Sequence, residues 1–235
     1  MARSPKIILY TSRQSLYAHR VYIALAELGL DYEEVEIDLD VPRTDAYLKI
    51  NPRGKVPSLS YNGQVIIESA IITQFLADAH PSHLVLPSGS ERGALQRARI
   101  NGFVDVYMTQ LLPLLYDVVS TRTNDEVANI AGSMVQIIVK ELEPLLIDCG
   151  PYFGGSEKIT LAEVLTASIV LRLYSSANFE ILPKSLIDDL SVQAPNFSRW
   201  VKAIQDVPSI CDIYDESVWV TKIGEKIAQY RSMIS

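Results

Sequence analysis

The sequence predicts an α/β domain followed by an all-α domain, and three observations carry that prediction. The stretch Asn51–Ala70, NPRGKVPSLSYNGQVIIESA, holds a proline turn, two short apolar-alternating runs and a helix start. Ser82–Ser90 is rich in Ser, Pro and Gly and reads as a linker. Beyond it, apolar residues recur at helical spacing throughout. A chain of 235 residues makes one large domain or two small ones, and its 48% hydrophobic content supplies a sizeable core.

In chain order, residues 1–6 form a short polar lead, and Ile7-Ile8-Leu9-Tyr10 reads as a buried strand. Thr11–Gln14 is polar and forms a loop. Val21, Ile23, Ala24, Leu25, Ala26 and Leu28 mark an amphipathic helix that closes at Gly29, a suitable residue past a helix end. Ser15 fits its N-cap or first turn. Tyr32–Leu39 alternates apolar and acidic residues as a second strand, and Pro42–Ile50 is a short helical or irregular link. Pro57–Tyr61 and Gln64–Ile67 flank Asn62-Gly63, a pair that tolerates the positive φ angles of a type I′ turn, so a hairpin is expected. Pro57 costs little at the first residue of a strand, where its missing N–H need not join the ladder. Glu68-Ser69 then opens a helix with apolar residues at 71, 72, 75 and 76. Unpaired N–H groups and the helix dipole favour an anion at such an end. The order β-α-β, link, β-β-α is that of a thioredoxin-like domain, assigned to residues 1–82, with a linker at 83–90.

Residues 91–235 are expected to be all-helical. Glu91–Val119 reads as one long helix with Pro113 placed to kink it, and Asp125–Cys149 as another. Thr160-Leu161-Ala162-Glu163 is a capping box that starts an almost wholly apolar core helix running to about Tyr174. Further helices fit Pro183–Leu190, Ala194–Val207 and Glu216–Ser232.

A net charge of −7 argues against nucleic-acid partners, whose binding proteins are normally basic. Cys149 and Cys211 are the only cysteines and lie in no CxxC or metal-ligand spacing, so inert thiols, no disulfide framework and no metal are expected. The apolar core at Ile7–Leu9 is too short for a signal peptide. No run approaches the roughly 20 apolar residues of a membrane span, so no membrane partner and a cytoplasmic setting are expected.

The motif N-P-x-G-K-V-P-x-L at 51–59, with the hairpin and E-S-A-I-I after it, resembles the glutathione S-transferase family. F-G-G-S at 153–156 and T-L-A-E at 160–163 are similar to that family too, where T-L-A-D is usual. Arg20-Val21-x-Ile23-Ala24-Leu25 resembles the zeta class. The resemblance implies the fold just described, with glutathione as co-substrate and no metal. It implies a cis Pro57, a Val56 backbone that pairs with the cysteinyl part of glutathione, and Glu68 and Ser69 holding the γ-glutamyl end. Lys55 would reach the glycyl carboxylate. The pocket for a small electrophile would lie between the domains, lined by Tyr107, Leu111 and Tyr116 from the long helix, with Arg13 and Tyr17 beside it. Trp219 and Tyr230 would fold over that cleft or pack on the helical domain. A homodimer is the family habit.

The chemistry needs an ionised thiol. A free cysteine thiol titrates near ~8.5, and lowering that by ~2 units takes ~2.7 kcal/mol. One hydrogen bond to a charged group contributes ~1.5–3 kcal/mol, so a hydroxyl at a helix N-terminus suffices and no general base is needed. Aligned on the zeta-like helix, Ser15 falls where that class has a serine and is the expected thiolate donor, with Ser12 as the alternative. The expected reaction is addition of glutathione to a small apolar electrophile. A zeta-type isomerase is an alternative, although Gln14, Leu16 and Tyr17 depart from that class's double-serine-cysteine motif. An ether-cleaving lyase and a non-catalytic binding or regulatory protein are the others. A serine at position 15 disfavours thiol reductase chemistry of the omega type, because no protein mixed disulfide can form there.

Overall fold

Leu9 is fully buried at the centre of strand β1 (Ile7–Thr11), and the N-terminal sheet is built outward from it. The structure is a computed structural model describing residues 4–234. β1 pairs in parallel with β2 (Glu33–Glu36) and antiparallel with β3 (Ser58–Tyr61), which pairs antiparallel with β4 (Gln64–Ile67). The sheet order is β2-β1-β3-β4. The hairpin turns on Asn62 (φ 51) and Gly63 (φ 86), both left-handed, as an Asn-Gly turn requires. β2 is shorter than the expected Tyr32–Leu39. β1 ends at Thr11, opposite Glu36, so after the Ile37 N–H bond to the Thr11 carbonyl the chain has no strand to pair with.

Helix α1 (Leu16–Glu27) connects β1 to β2, the short α2 (Asp45–Ile50) starts under Thr44, and α3 (Ser69–Ala79) follows β4. The helical half holds α4 (Glu91–Val106), α5 (Leu112–Asp117), α6 (Asn124–Ile137), α7 (Leu161–Asn178), α8 (Ser185–Gln193), α9 (Pro195–Gln205), α10 (Pro208–Cys211) and α11 (Glu216–Ile234). α7 is the pillar. Every residue from Leu161 to Ala177 is buried, and the helix packs against α1 and α3 on one side and α4, α8, α9 and α11 on the other. The capping box is present: the Thr160 hydroxyl oxygen accepts from the Ala162 N–H, and the Glu163 carboxylate accepts from the Thr160 N–H.

The two long helices expected at 91–119 and 125–149 are interrupted in the same way. Tyr107–Leu111 is a π-helical turn, and the Leu112 N–H reaches the Tyr107 carbonyl five residues back. Ile138–Leu142 is a second one, with the Glu143 N–H on the Ile138 carbonyl. Pro113 and Pro144 follow just after. A proline lacks the N–H and its ring collides with the carbonyl four residues back. Widening the preceding turn relieves that collision while the chain stays helical.

Cys149 is buried, and burial pushes its thiol up to about 12, which keeps it protonated. Among the described residues no cluster of His, Cys, Asp and Glu is arranged to hold a metal ion, and no helix is long and apolar enough to cross a membrane.

Candidate functional site

Ser15 ends the loop after β1 and is the N-cap of α1. Its N–H bonds the Ser12 carbonyl, closing a tight turn, and its Oγ accepts from the Ala18 N–H at 3.2 Å. The cap therefore uses an oxygen lone pair and leaves the hydroxyl proton free to donate. An anion placed there also meets the positive end of the α1 dipole. Ser12, the alternative, is 2% exposed.

The turn before β3 is held from behind. Tyr47 Oη and Asn51 Nδ2 both donate to the Lys55 carbonyl, at 2.6 and 2.8 Å, and both also contact Ser58 Oγ. These bonds fix the main chain leading into the Val56–Pro57 peptide, which is cis. The Lys55 side chain is exposed.

Glu68 sits at φ 72 and ψ 115, a conformation costing a non-glycine residue about 1–3 kcal/mol. It is the N-cap of α3 yet makes no side-chain capping bond, because its carboxylate pairs with Arg53 instead. Unlike α1, α2, α4, α6 and α7, which start under a serine or threonine, α3 keeps its leading N–H groups unfilled by a side chain. Ser69 follows, with its Oγ at 3.5 Å from Nη1 of the buried Arg20. An open helix end with a buried guanidinium beside it is an arrangement able to accept a carboxylate.

A cavity of about 930 Å³ opens at the β1–α1 loop, where Gln14, the residue before Ser15, forms part of its wall. Its walls are Arg13 and Gln14 of the β1–α1 loop, Leu39 and Asp40 after β2, Arg172 of α7, and Trp219 and Lys222 of α11. Lys222 Nζ bonds Asp40 Oδ2 at 3.0 Å and also Gln14, which ties the last helix to the N-terminal domain.

The sequence-expected pocket residues divide. Arg13 lines this cavity, its guanidinium paired through two bonds of 3.2 Å with Glu34. Tyr17 lies with its ring 5.5 Å from the Arg20 guanidinium, close to Tyr116, whose phenol burial and the neighbouring Tyr17 push up to about 12. Tyr107 and Leu111 are corrected: at 0% and 4% exposed they face no cleft. The Tyr107 ring packs on Phe103 of α4 at 5.1 Å and on Trp200 of α9 at 6.3 Å, and Tyr107 and Leu111 both belong to the hydrophobic core. Trp219 meets both expectations: it lines the cavity and packs on the helical domain, its Nε1 donating to Ser176 Oγ of α7 at 3.3 Å. Arg172 was not singled out from sequence. Its signal was there: it is the only charge on α7 after Glu163.

His19, one turn beyond Ser15, is buried. Nε2 donates to the Ile210 carbonyl at 2.7 Å, and Nδ1 faces Arg172 Nη1 at 3.5 Å as acceptor. Burial first, and Arg172 second, lower its pKa to about 4. In the unfolded chain it titrates near ~6.5, so on acidification the unfolded state takes the proton first. The stability this neutral imidazole contributes is therefore complete above about pH 6.5 and lost as pH falls towards 4, by roughly 3 kcal/mol. Urea midpoints at about pH 7 and pH 5 should differ clearly less in His19→Gln than in the wild type; equal differences in the two would contradict this.

A thioredoxin-like sheet with a serine-capped α1 and an open α3, followed by an all-helical half, defines the fold class. Comparison with known proteins gives the family. Residues 9–88 match the family model for the glutathione S-transferase N-terminal domain. The chain is 35% identical over 219 residues to a probable glutathione S-transferase GSTU1 of Oryza sativa subsp. indica, covering 89% of this chain and 90% of that protein. It is 32% identical over 184 residues to maleylacetoacetate isomerase of Pseudomonas aeruginosa, covering 74% and 82%. The solved structure of rice GST1 in complex with glutathione shares the fold, with a TM-score of 0.80 at 24% identity over 97% of this chain and 99% of that one. The chain belongs to the glutathione S-transferase family.

Proposed function

We propose that this protein is a glutathione transferase in which Ser15 activates the thiol of glutathione for attack on a small electrophile in the adjoining cavity. The observation that carries it is the Ser15 hydroxyl: its oxygen accepts from the Ala18 N–H, so its proton is left to donate to the sulfur. The ionised sulfur forms the new bond to carbon, and either a leaving group departs or the electrophile takes up a proton from water. Ser15 keeps its own proton, and no base is needed.

The glutathione backbone lies along Lys55, Val56 and Pro57, with its γ-glutamyl carboxylate at Ser69 and the open end of α3, and its ammonium near Glu68. The fixed Lys55 carbonyl, the positive φ of Glu68 and the uncapped helix support this placement. Action in the cytoplasm and pairing as a homodimer belong to the same proposal. Exposed Ile71 on α3 and Leu95 on α4, at 56% and 62%, supply apolar surface for a partner.

Calorimetric titration of glutathione into the wild type and Ser69→Ala tests the placement. The variant should bind about tenfold to a hundredfold more weakly, the loss of one hydrogen bond to a charged group, with little change in kcat at saturation. Equal affinities would remove Ser69 from the site, and no binding to the wild type would overturn the function.

A glutathione-dependent isomerase is the second reading, favoured by the relatives named maleylacetoacetate isomerase. It uses the same thiolate, which adds reversibly to a cis alkene and leaves after bond rotation. Catalysed cis–trans conversion of maleylacetone that stops without glutathione would select it.

A further inference from the structure

Arg172 is 2% exposed and, among the described residues, has no carboxylate partner. Its hydrogen bonds go to neutral acceptors: the Ser168 carbonyl at 2.9 Å, the Gln14 carbonyl at 3.4 Å and His19 Nδ1 at 3.5 Å. Its Nε–H has no partner. The guanidinium carbon lies 4.9 Å from the ring centre of Tyr214 and 5.3 Å from that of Trp219. Those rings are themselves pinned to α7, Tyr214 Oη on Ser175 Oγ and Trp219 Nε1 on Ser176 Oγ. The side chain is thus held in the cavity wall, bonded to the carbonyl of Gln14, the residue before Ser15, and its Nε–H is left over.

Burying a cation without a counter-ion is costly, and a fold that keeps one usually matches it to an anion. Of the other cations on this wall, Arg13 pairs with Glu34 and Lys222 with Asp40, and Lys226 of α11 is the remaining one. A guanidinium grips a planar carboxylate through paired N–H groups. The cavity rim also carries Asp212, Asp215 and Glu216, which repel a multiply charged anion such as a phosphate monoester more than a single carboxylate. Leu39, Phe179 and Trp219 offer apolar surface for the rest of the molecule.

We propose that the cavity selects an organic carboxylate as second substrate, with Arg172 holding the carboxylate and Leu39, Phe179 and Trp219 covering an apolar or aromatic body. This rests on the glutathione transferase reading above and names the substrate class of the same site. Arg172 is the specificity-determining contact; His19, bonded to it from α1, is a positioning residue.

The test uses para-chloro-meta-nitrobenzoate and its methyl ester, which share the reacting ring and differ in the carboxylate charge and one methyl group. In both, the glutathione thiolate forms a carbon–sulfur bond, the carbon–chlorine bond breaks and chloride leaves with the electron pair. The wild type should show a KM about tenfold or more lower for the carboxylate than for the ester. Arg172→Met should abolish that preference, bringing the KM values for ester and carboxylate together, and Arg172→Lys should keep part of it. No preference in the wild type, or a preference that survives in Arg172→Met, overturns the proposal. If Arg172→Met does not fold, the wild-type comparison and Arg172→Lys still decide. Chlorodinitrobenzene, a neutral substrate, is run alongside. Turnover of it with no carboxylate preference sinks only this proposal, whereas no thiolate and no turnover of any of the three sinks the transferase reading. In that last case, quenching of Trp219 fluorescence by the nitrobenzoate but not the ester, lost in Arg172→Lys or Arg172→Met, still reports the carboxylate site; its absence rejects it.

Discussion

Replacing Ser15 with alanine is expected to raise the pKa of enzyme-bound glutathione by about 2 units and to lower kcat/KM at about pH 6.5 by roughly a hundredfold. The size follows from the geometry at the start of α1. In the proposed site the Ser15 hydroxyl at the N-cap of α1 is the donor, and its oxygen is already polarised by accepting from the Ala18 N–H. Alanine removes the donor but leaves the dipole, so part of the shift survives. The rate deficit should shrink as pH rises, because above the variant's thiol pKa the sulfur ionises unaided. The lost cap also costs about 1 kcal/mol of stability, which moves the melting temperature without touching the thiol. Ultraviolet absorbance of the bound thiolate, followed against pH, separates the two effects. A thiol pKa that is low in the wild type and unmoved in Ser15→Ala would transfer the role to Ser12 or to a backbone N–H. A thiol pKa that is ordinary in the wild type, with glutathione bound, would leave a binding protein.

What the sequence disclosed was what local physics decides. Asn62-Gly63 specifies its turn because few other pairs reach two positive φ angles. Thr160 and Glu163 specify the start of α7 because their bonds close within one helical turn. Ser15 is the cap of α1 for the same reason. The features that escaped depend on residues far apart in the chain. Apolar spacing marked 91–119 as helix but did not say which side meets Trp200, so Tyr107 and Leu111 were placed in the pocket although they belong to the core. The π turns need the prolines and the surrounding packing together. Arg172 and His19 come from positions 153 residues apart and acquire meaning only where α1 meets α7. The charge of Arg172 inside an apolar helix was the one local hint, and a periodicity reading averages such a residue away.

Glu163→Ala is expected to be the most destabilising single substitution among the predictions made for this protein, by about 4–5 kcal/mol. The carboxylate is 0% exposed and accepts four hydrogen bonds: the Phe153 N–H at 2.8 Å, the Thr160 N–H and Thr160 Oγ1 at 2.7 Å each, and Trp200 Nε1 at 2.7 Å. The Phe153–Gly155 turn, the first turn of α7 and the middle of α9 therefore meet on one side chain. Alanine strands three buried N–H donors, each worth about 1–3 kcal/mol when unsatisfied, and opens a hole that water fills only in part. The penalties do not add fully, because the freed segments relax together. Glu163→Gln should cost less, about 2 kcal/mol, since its amide oxygen still serves one side while its NH₂ faces the Thr160 N–H. Urea unfolding followed by fluorescence, to which the buried Trp200 contributes, provides the measurement. A loss below about 1 kcal/mol for alanine would mean that this junction contributes little to stability. The expected loss has a functional reach as well. The same helix that Glu163 anchors carries Arg172, so weakening its first turn should loosen the far wall of the cleft. KM for a second substrate in Glu163→Gln should then rise more than KM for glutathione, whose proposed contacts all lie in the N-terminal domain.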